Sequence, residues 1–81
     1  MKIKPLRKDL RSFLRKNNLV KKFSKQKRLF ENNSRYPSLN TEKLKPKNLK
    51  IYSFRIDKKW RSIFIIINNE AEIIDINLHY Q

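Results

Sequence analysis

A chain of 81 residues with 21 lysines and arginines against seven aspartates and glutamates carries a formal charge of +14 and has room for one small core, read as a single domain spanning 1–81. It has no glycine, no cysteine and one histidine, which excludes a Walker A loop, a dinucleotide fingerprint, a zinc finger and any ordinary zinc site, so no metal or other cofactor is expected. The longest apolar run, residues 63–67, is far too short to span a bilayer, and the basic N-terminal third lacks the apolar stretch of a signal peptide, so the expected location is cytoplasmic.

Residues 1–4 are compatible with a short edge strand. Pro5 suits a first helical turn, where a missing N–H costs nothing. Leu6, Leu10, Phe13 and Leu14 then fall on one helical stripe, and Asn17-Asn18 closes it. Leu19, Val20, Phe23 and Phe30 form a second stripe ending at Asn32-Asn33-Ser34. The pair predicts an αα-hairpin packed on one face of a sheet. Twelve basic and two acidic side chains lie in residues 1–33, so ten of the fourteen net charges sit on this hairpin. A solvated face explains any one lysine. So one-sided a run favours a polyanionic partner, either nucleic acid or an acidic protein segment.

Residues 34–47 contain Pro37 and Pro46 and read as a loop anchored by Leu39 and Leu44. Beyond it the chain becomes β-like. Tyr52, Phe54 and Ile56 alternate with Ser53, Arg55 and Asp57, the period-2 pattern of a strand with one buried face. Residues 60–67 are nearly all apolar and β-branched, as in a central strand covered on both sides. Ile74, Ile76 and Leu78 alternate with Asp75, Asn77 and His79. The links Asp57-Lys58-Lys59 and Asn68-Asn69-Glu70 are short enough for hairpins. The expected class is α+β: the helical hairpin on a small antiparallel sheet built from a three-stranded C-terminal meander, with residues 1–4 as an optional fourth strand.

Arg55 before a turn, Arg61 after it, a terminal His79-Tyr80, and the segment Arg35-Tyr36-Pro37-Ser38-Leu39 followed by Lys43-Leu44 together resemble the RelE/ParE superfamily of bacterial toxins. Tyr36 stands where histidine is common, and Lys50 where glycine is usual. The resemblance runs from about Leu19 to Tyr80. It implies a toxin of a type II toxin–antitoxin system, of the RelE/YoeB-like kind that cleaves mRNA on the ribosome without metal.

Such cleavage needs a base for the 2′-hydroxyl, cations to offset charge on the phosphorane, and an acid for the departing 5′-oxygen. Strand parity puts Arg55 and His79 on the polar face, while Arg61 shares a side with Ile63, Ile65 and Ile67. If that side is the polar face, the isoleucines form an apolar patch beside a cationic cluster, which usually marks a partner site. By resemblance, Arg61 stabilises the scissile phosphate and Arg55 binds the RNA backbone. His79 and Tyr80 serve proton transfer and substrate orientation, and Glu42 is the general base. Lys43, Lys45 and Lys47 contact RNA in the same way. The implied partners are a cognate antitoxin, acidic and partly disordered when free, and mRNA on the ribosome. A gyrase-inhibiting toxin of the same fold and a non-catalytic RNA- or ribosome-binding module are the alternatives.

Overall fold

The computed structural model describes residues 1–78. Strand β1 (Lys2–Ile3) is followed by helices α1 (Lys8–Lys16) and α2 (Val20–Asn32), then strands β2 (Glu42–Lys43), β3 (Tyr52–Arg55), β4 (Trp60–Ile67) and β5 (Glu70–Leu78). Short 3₁₀ turns at Pro37–Leu39 and Lys47–Leu49 bracket β2. The sheet order is β1-β5-β4-β3-β2, so β4 is central and both outer strands are two residues long. None of the described helices is long and apolar enough to cross a membrane.

The α+β class and the helical hairpin agree with the sequence, but two features of the sheet do not. It has five strands, because residues 42–43 within the expected loop pair antiparallel with β3. It is also mixed, because β1 runs parallel to β5. Pro5 does not open a helix. It follows Lys4, whose N–H donates to the Ala71 carbonyl at 2.8 Å, and having no N–H it ends that ladder. The first helix starts three residues later, with Asp9 in its first turn and Arg15 and Lys16 in its last, the arrangement the helix dipole favours.

The core forms where the apolar stripe of α2 meets the inner face of β3 and β4. Leu19, Phe23 and Phe30 are buried, whereas Val20 turns out to be exposed. Phe30 contacts Phe54 and Phe64 with ring centroids 5.0 and 5.2 Å apart. From α1, Leu10 and Leu14 are buried and Phe13 meets Trp60 edge-on at 5.2 Å. The fourth member of the α2 stripe is polar. Gln26 is buried and donates through Nε2 to the Arg55 carbonyl at 2.7 Å and to the Ser38 carbonyl at 3.4 Å, tying helix, β3 and the 3₁₀ turn together. Gln26→Leu is expected to lower unfolding free energy by about 1–3 kcal/mol in urea titration, since buried acceptors lose their donor. No measurable change would refute this linking role.

The hairpin turns follow from asparagine and aspartate chemistry. Asn68 and Asn69 take φ of 52° and 65°, as a two-residue turn between twisted strands requires. Asp57 Oδ1 accepts from the Lys59 and Trp60 N–H groups, both at 2.8 Å, and so closes the other hairpin. In β5 the simple alternation fails. Ile63 faces Asp75 but Phe64 faces Ile73, leaving Ile74 as the extra residue of a bulge. The buried positions are therefore Ala71, Ile73 and Ile76, and Ile74 is only half-buried.

Lys50 adopts φ 55°, ψ 47°, left-handed geometry just ahead of β3. A non-glycine residue there costs about 1–2 kcal/mol, partly offset by the extra chain entropy a glycine would carry. Lys50→Gly is expected to raise stability by up to about 1 kcal/mol on these grounds, visible as a higher urea midpoint. A lower midpoint would mean that the lysine side chain stabilises the turn.

Candidate active site on the sheet face away from the helices

Pairing in register assembles one polar face. Arg55 stands opposite Arg61, and Arg61 opposite Asn77 on the next strand. One step along, Glu42 pairs with Ser53, Ser53 with Ile63, and Ile63 with Asp75. Arg61, Ile63 and Ile65 thus lie on the same side as Arg55, so the conditional patch of the sequence reading forms. Ile63 and Ile65 are half-buried and Ile67 is exposed.

Arg61 anchors this face. It is 4 % exposed, an unusual place for a charge, and its guanidinium is met from several sides. Nε donates to Ser53 Oγ at 3.0 Å, and Nη2 donates to the Asn40 carbonyl at 2.8 Å. Glu42 Oε1 lies 3.5 Å from the same Nη2. Burial pulls the Arg61 guanidinium below the ordinary arginine value, Glu42 opposes that shift and Arg55 adds to it. Asn40 reaches the site because it adopts a left-handed conformation (φ 45°) at the end of the Pro37–Leu39 turn. Fully buried Leu39 pins that turn to the core. A cleft of about 200 Å³ opens here, lined by Glu42, Leu44, Ser53, Arg61, Ile63 and Asn77, with Leu78 at its end.

Other expected site residues fall elsewhere. Lys43 points to the opposite side of β2 from Glu42, with Nζ 5.8 Å from the Tyr52 ring centroid. Lys45 and Lys47 are exposed beyond β2 and do not line the cleft. Arg55 is half-buried, and its Nε is enclosed without a hydrogen-bond partner among the described residues. His79 and Tyr80 lie outside the described residues. Ser53 and the Asn40 carbonyl escaped the sequence reading. Ser53 shares strand parity with Arg55, which is the signal that points to it. A backbone carbonyl leaves no such signal. Among the described residues no group of three or more acidic, histidine or cysteine side chains is placed to hold a metal ion.

Two helices packed on one face of a mixed five-stranded sheet match the fold of the YoeB/ParE toxins. No protein-family model matches the sequence and no curated protein matches it. Among solved structures, the chain is similar to a YoeB/ParE toxin from Agrobacterium tumefaciens, with TM-score 0.72 and 21 % identity over 99 % of this chain and 100 % of that one. It is also similar to a chain in the heterotetrameric YoeB–YefM toxin–antitoxin complex from Staphylococcus aureus, with TM-score 0.69 and 23 % identity over 98 % of this chain and 94 % of that one. A further YoeB–YefM complex from Staphylococcus aureus matches over the same shares, with TM-score 0.69 and 24 % identity.

Proposed function

We propose that this protein is the toxin of a toxin–antitoxin pair and cleaves mRNA on the ribosome as a metal-independent endoribonuclease acting in the cytoplasm. The observation that carries this reading is the Glu42–Arg61 pair, a half-exposed carboxylate 3.5 Å from a rigidly held guanidinium inside a cleft. Glu42 takes the proton from a 2′-hydroxyl, and the 2′-oxygen attacks the adjacent phosphorus. The bond to the 5′-oxygen breaks, leaving a cyclic phosphate and a 5′-hydroxyl. Arg61, fixed by Ser53 and Asn40, offers positive charge that needs no reorganisation as the phosphorane forms. Arg55, half-buried and in register beside it, holds a second phosphate oxygen. His79 is the group assigned to protonate the leaving oxygen, and Tyr80 the group that orients the substrate.

The charge of +14 suits docking among rRNA phosphates, and the ribosome supplies the ordering of mRNA that a shallow cleft lacks. Primer extension on mRNA from induced cells should show codon-phased breaks that vanish when the start codon is removed and persist with a chelator. Breaks in untranslated RNA would indicate a free ribonuclease. Intact mRNA with a DNA-damage response would replace this reading by gyrase inhibition, and intact mRNA with normal growth by a binding module.

The partner in this reading is an antitoxin whose acidic, partly apolar segment is disordered alone and folds on the basic surface beside Ile63, Ile65 and Ile67. Binding to it should weaken with salt yet keep a salt-resistant part from apolar contact. Affinity lost entirely at high salt would remove the isoleucine patch from the interface.

A further inference from the structure

The chemistry above leaves unused a hollow around Tyr52, on the other side of β2. Tyr52 stacks on Phe64 with centroids 5.5 Å apart and planes at 21°. Phe64 is itself held between Phe30 and Phe54, at 5.2 and 5.8 Å. Tyr52 is therefore a half-buried ring backed by the core, unable to swing away. Two adjoining hollows of about 180 and 230 Å³ share Arg35, Thr41 and Tyr52 as walls. Thr41 is fixed there by donating its hydroxyl to the Ser34 carbonyl at 2.6 Å. Lys43 lines the larger hollow, with its ammonium over the Tyr52 ring. Glu42 lines it too, and Glu42 is the one residue common to this hollow and the Arg61 cleft. With β2 only two residues long, the two are separated by a narrow rim.

The geometry points to Tyr52 as a stacking platform for one nucleobase of single-stranded RNA: the base takes the place of the Lys43 ammonium over the ring, and Lys43 turns with Arg35 to the adjoining phosphate while the neighbouring nucleotide lies at Glu42 and Arg61. This deepens the ribonuclease reading and rests on it. An aromatic face beside two cations matches what a nucleotide offers, a π-surface joined to an anion. An acidic peptide would be served by the cations alone. Stacking accepts any base, so this platform sets position along the strand rather than sequence. It adds a second hold on the RNA, one nucleotide away from the bond that breaks.

The test uses a fluorescent 2′-O-methylated hexaribonucleotide, which binds without being cleaved, and an abasic chain of equal length. Tyr52→Leu keeps apolar bulk against Phe64 but removes the ring. It should weaken hexamer binding about tenfold or more, leave the abasic chain unaffected, and leave the salt slope unchanged. Tyr52→Phe should bind as the parent does. Arg35→Ala with Lys43→Ala should reduce the salt slope by roughly 0.7, the value for one phosphate on a single strand. If Tyr52→Leu fails to fold, Tyr52→Trp replaces it, and its added indole emission should be quenched by the hexamer but not by the abasic chain. Unchanged hexamer affinity in Tyr52→Leu, equal losses on both probes, or no quenching in Tyr52→Trp overturns the platform. So does Tyr52-dependent binding of an acidic peptide without Tyr52-dependent binding of the hexamer. Intact mRNA with the unaltered protein alongside Tyr52-dependent hexamer binding would instead overturn the nuclease reading and leave the platform standing.

Discussion

Glu42→Gln is expected to lower mRNA cleavage about 10²–10⁴-fold, the usual cost of removing a positioned base. The substitution keeps the size and shape of the side chain, so the cleft retains its form. Its effect on stability should stay below about 1 kcal/mol, because Glu42 is 46 % exposed and the buried Arg61 keeps its bonds to Ser53 and the Asn40 carbonyl. The informative result is the separation of the two readouts, measured as codon-phased cleavage in a translating extract and as urea unfolding of the purified protein. A variant that cleaves at the parent rate removes Glu42 from the chemistry and returns the family-like placement to coincidence.

Arg61→Ala is expected to behave differently, losing growth arrest and stability together. Its guanidinium holds Ser53 Oγ, the Asn40 carbonyl and Glu42 in a site with almost no solvent to replace it. Hydrogen bonds to a charged group are worth about 1.5–3 kcal/mol each, and truncation also leaves a void. A loss of roughly 2–4 kcal/mol in urea unfolding follows from these terms, large against the stability of a small domain. An alanine variant judged by growth alone would therefore confuse a broken fold with a broken site. Arg61→Lys keeps the charge but lacks the planar fork, so one ammonium must choose among three partners. It should fold better than alanine and still arrest growth poorly. Alanine unfolding within about 0.5 kcal/mol of the parent would show that the guanidinium is not structural, since only surface changes are ordinarily so mild.

Much of this architecture is written in local patterns. The stripe of Leu10 and Leu14, the apolar run of β4 and the Asn68-Asn69 turn each declare themselves within a few residues, because periodicity and left-handed backbone preference are local properties. What escaped was non-local. Glu42 and Lys43 have no strand signature of their own and are extended because β3 lies beside them. The parallel pairing of β1 depends on where β5 ends up after both helices have folded back. The bulge at Ile74 shifts the parity of β5, and nothing in the alternation of Ile74, Ile76 and Leu78 announces it. Gln26 carries no apolar signal, yet its amide is needed by a carbonyl that only the assembled sheet brings near. At the site, parity put Arg55 on the polar face but left the side of Arg61 open, and only the register of β3 with β4 sets the two arginines opposite each other. The nearness of Glu42 to Arg61 came from resemblance, since two residues 19 positions apart in sequence carry no periodic relation.

The two-residue outer strands bear on how this protein survives its own synthesis. Residues 63–67 form a run of β-branched and aromatic side chains without charge or proline, the composition that stacks into cross-β fibrils. In the finished sheet that run lies in the middle, with two strands on either side. Each margin is too short to template a neighbour and carries a lysine, Lys2 on one and Lys43 on the other. Fibril formation is thus confined to the interval before β3 and β5 close over β4. Since β5 follows β4 in the sequence, that interval lasts until β5 has left the ribosome.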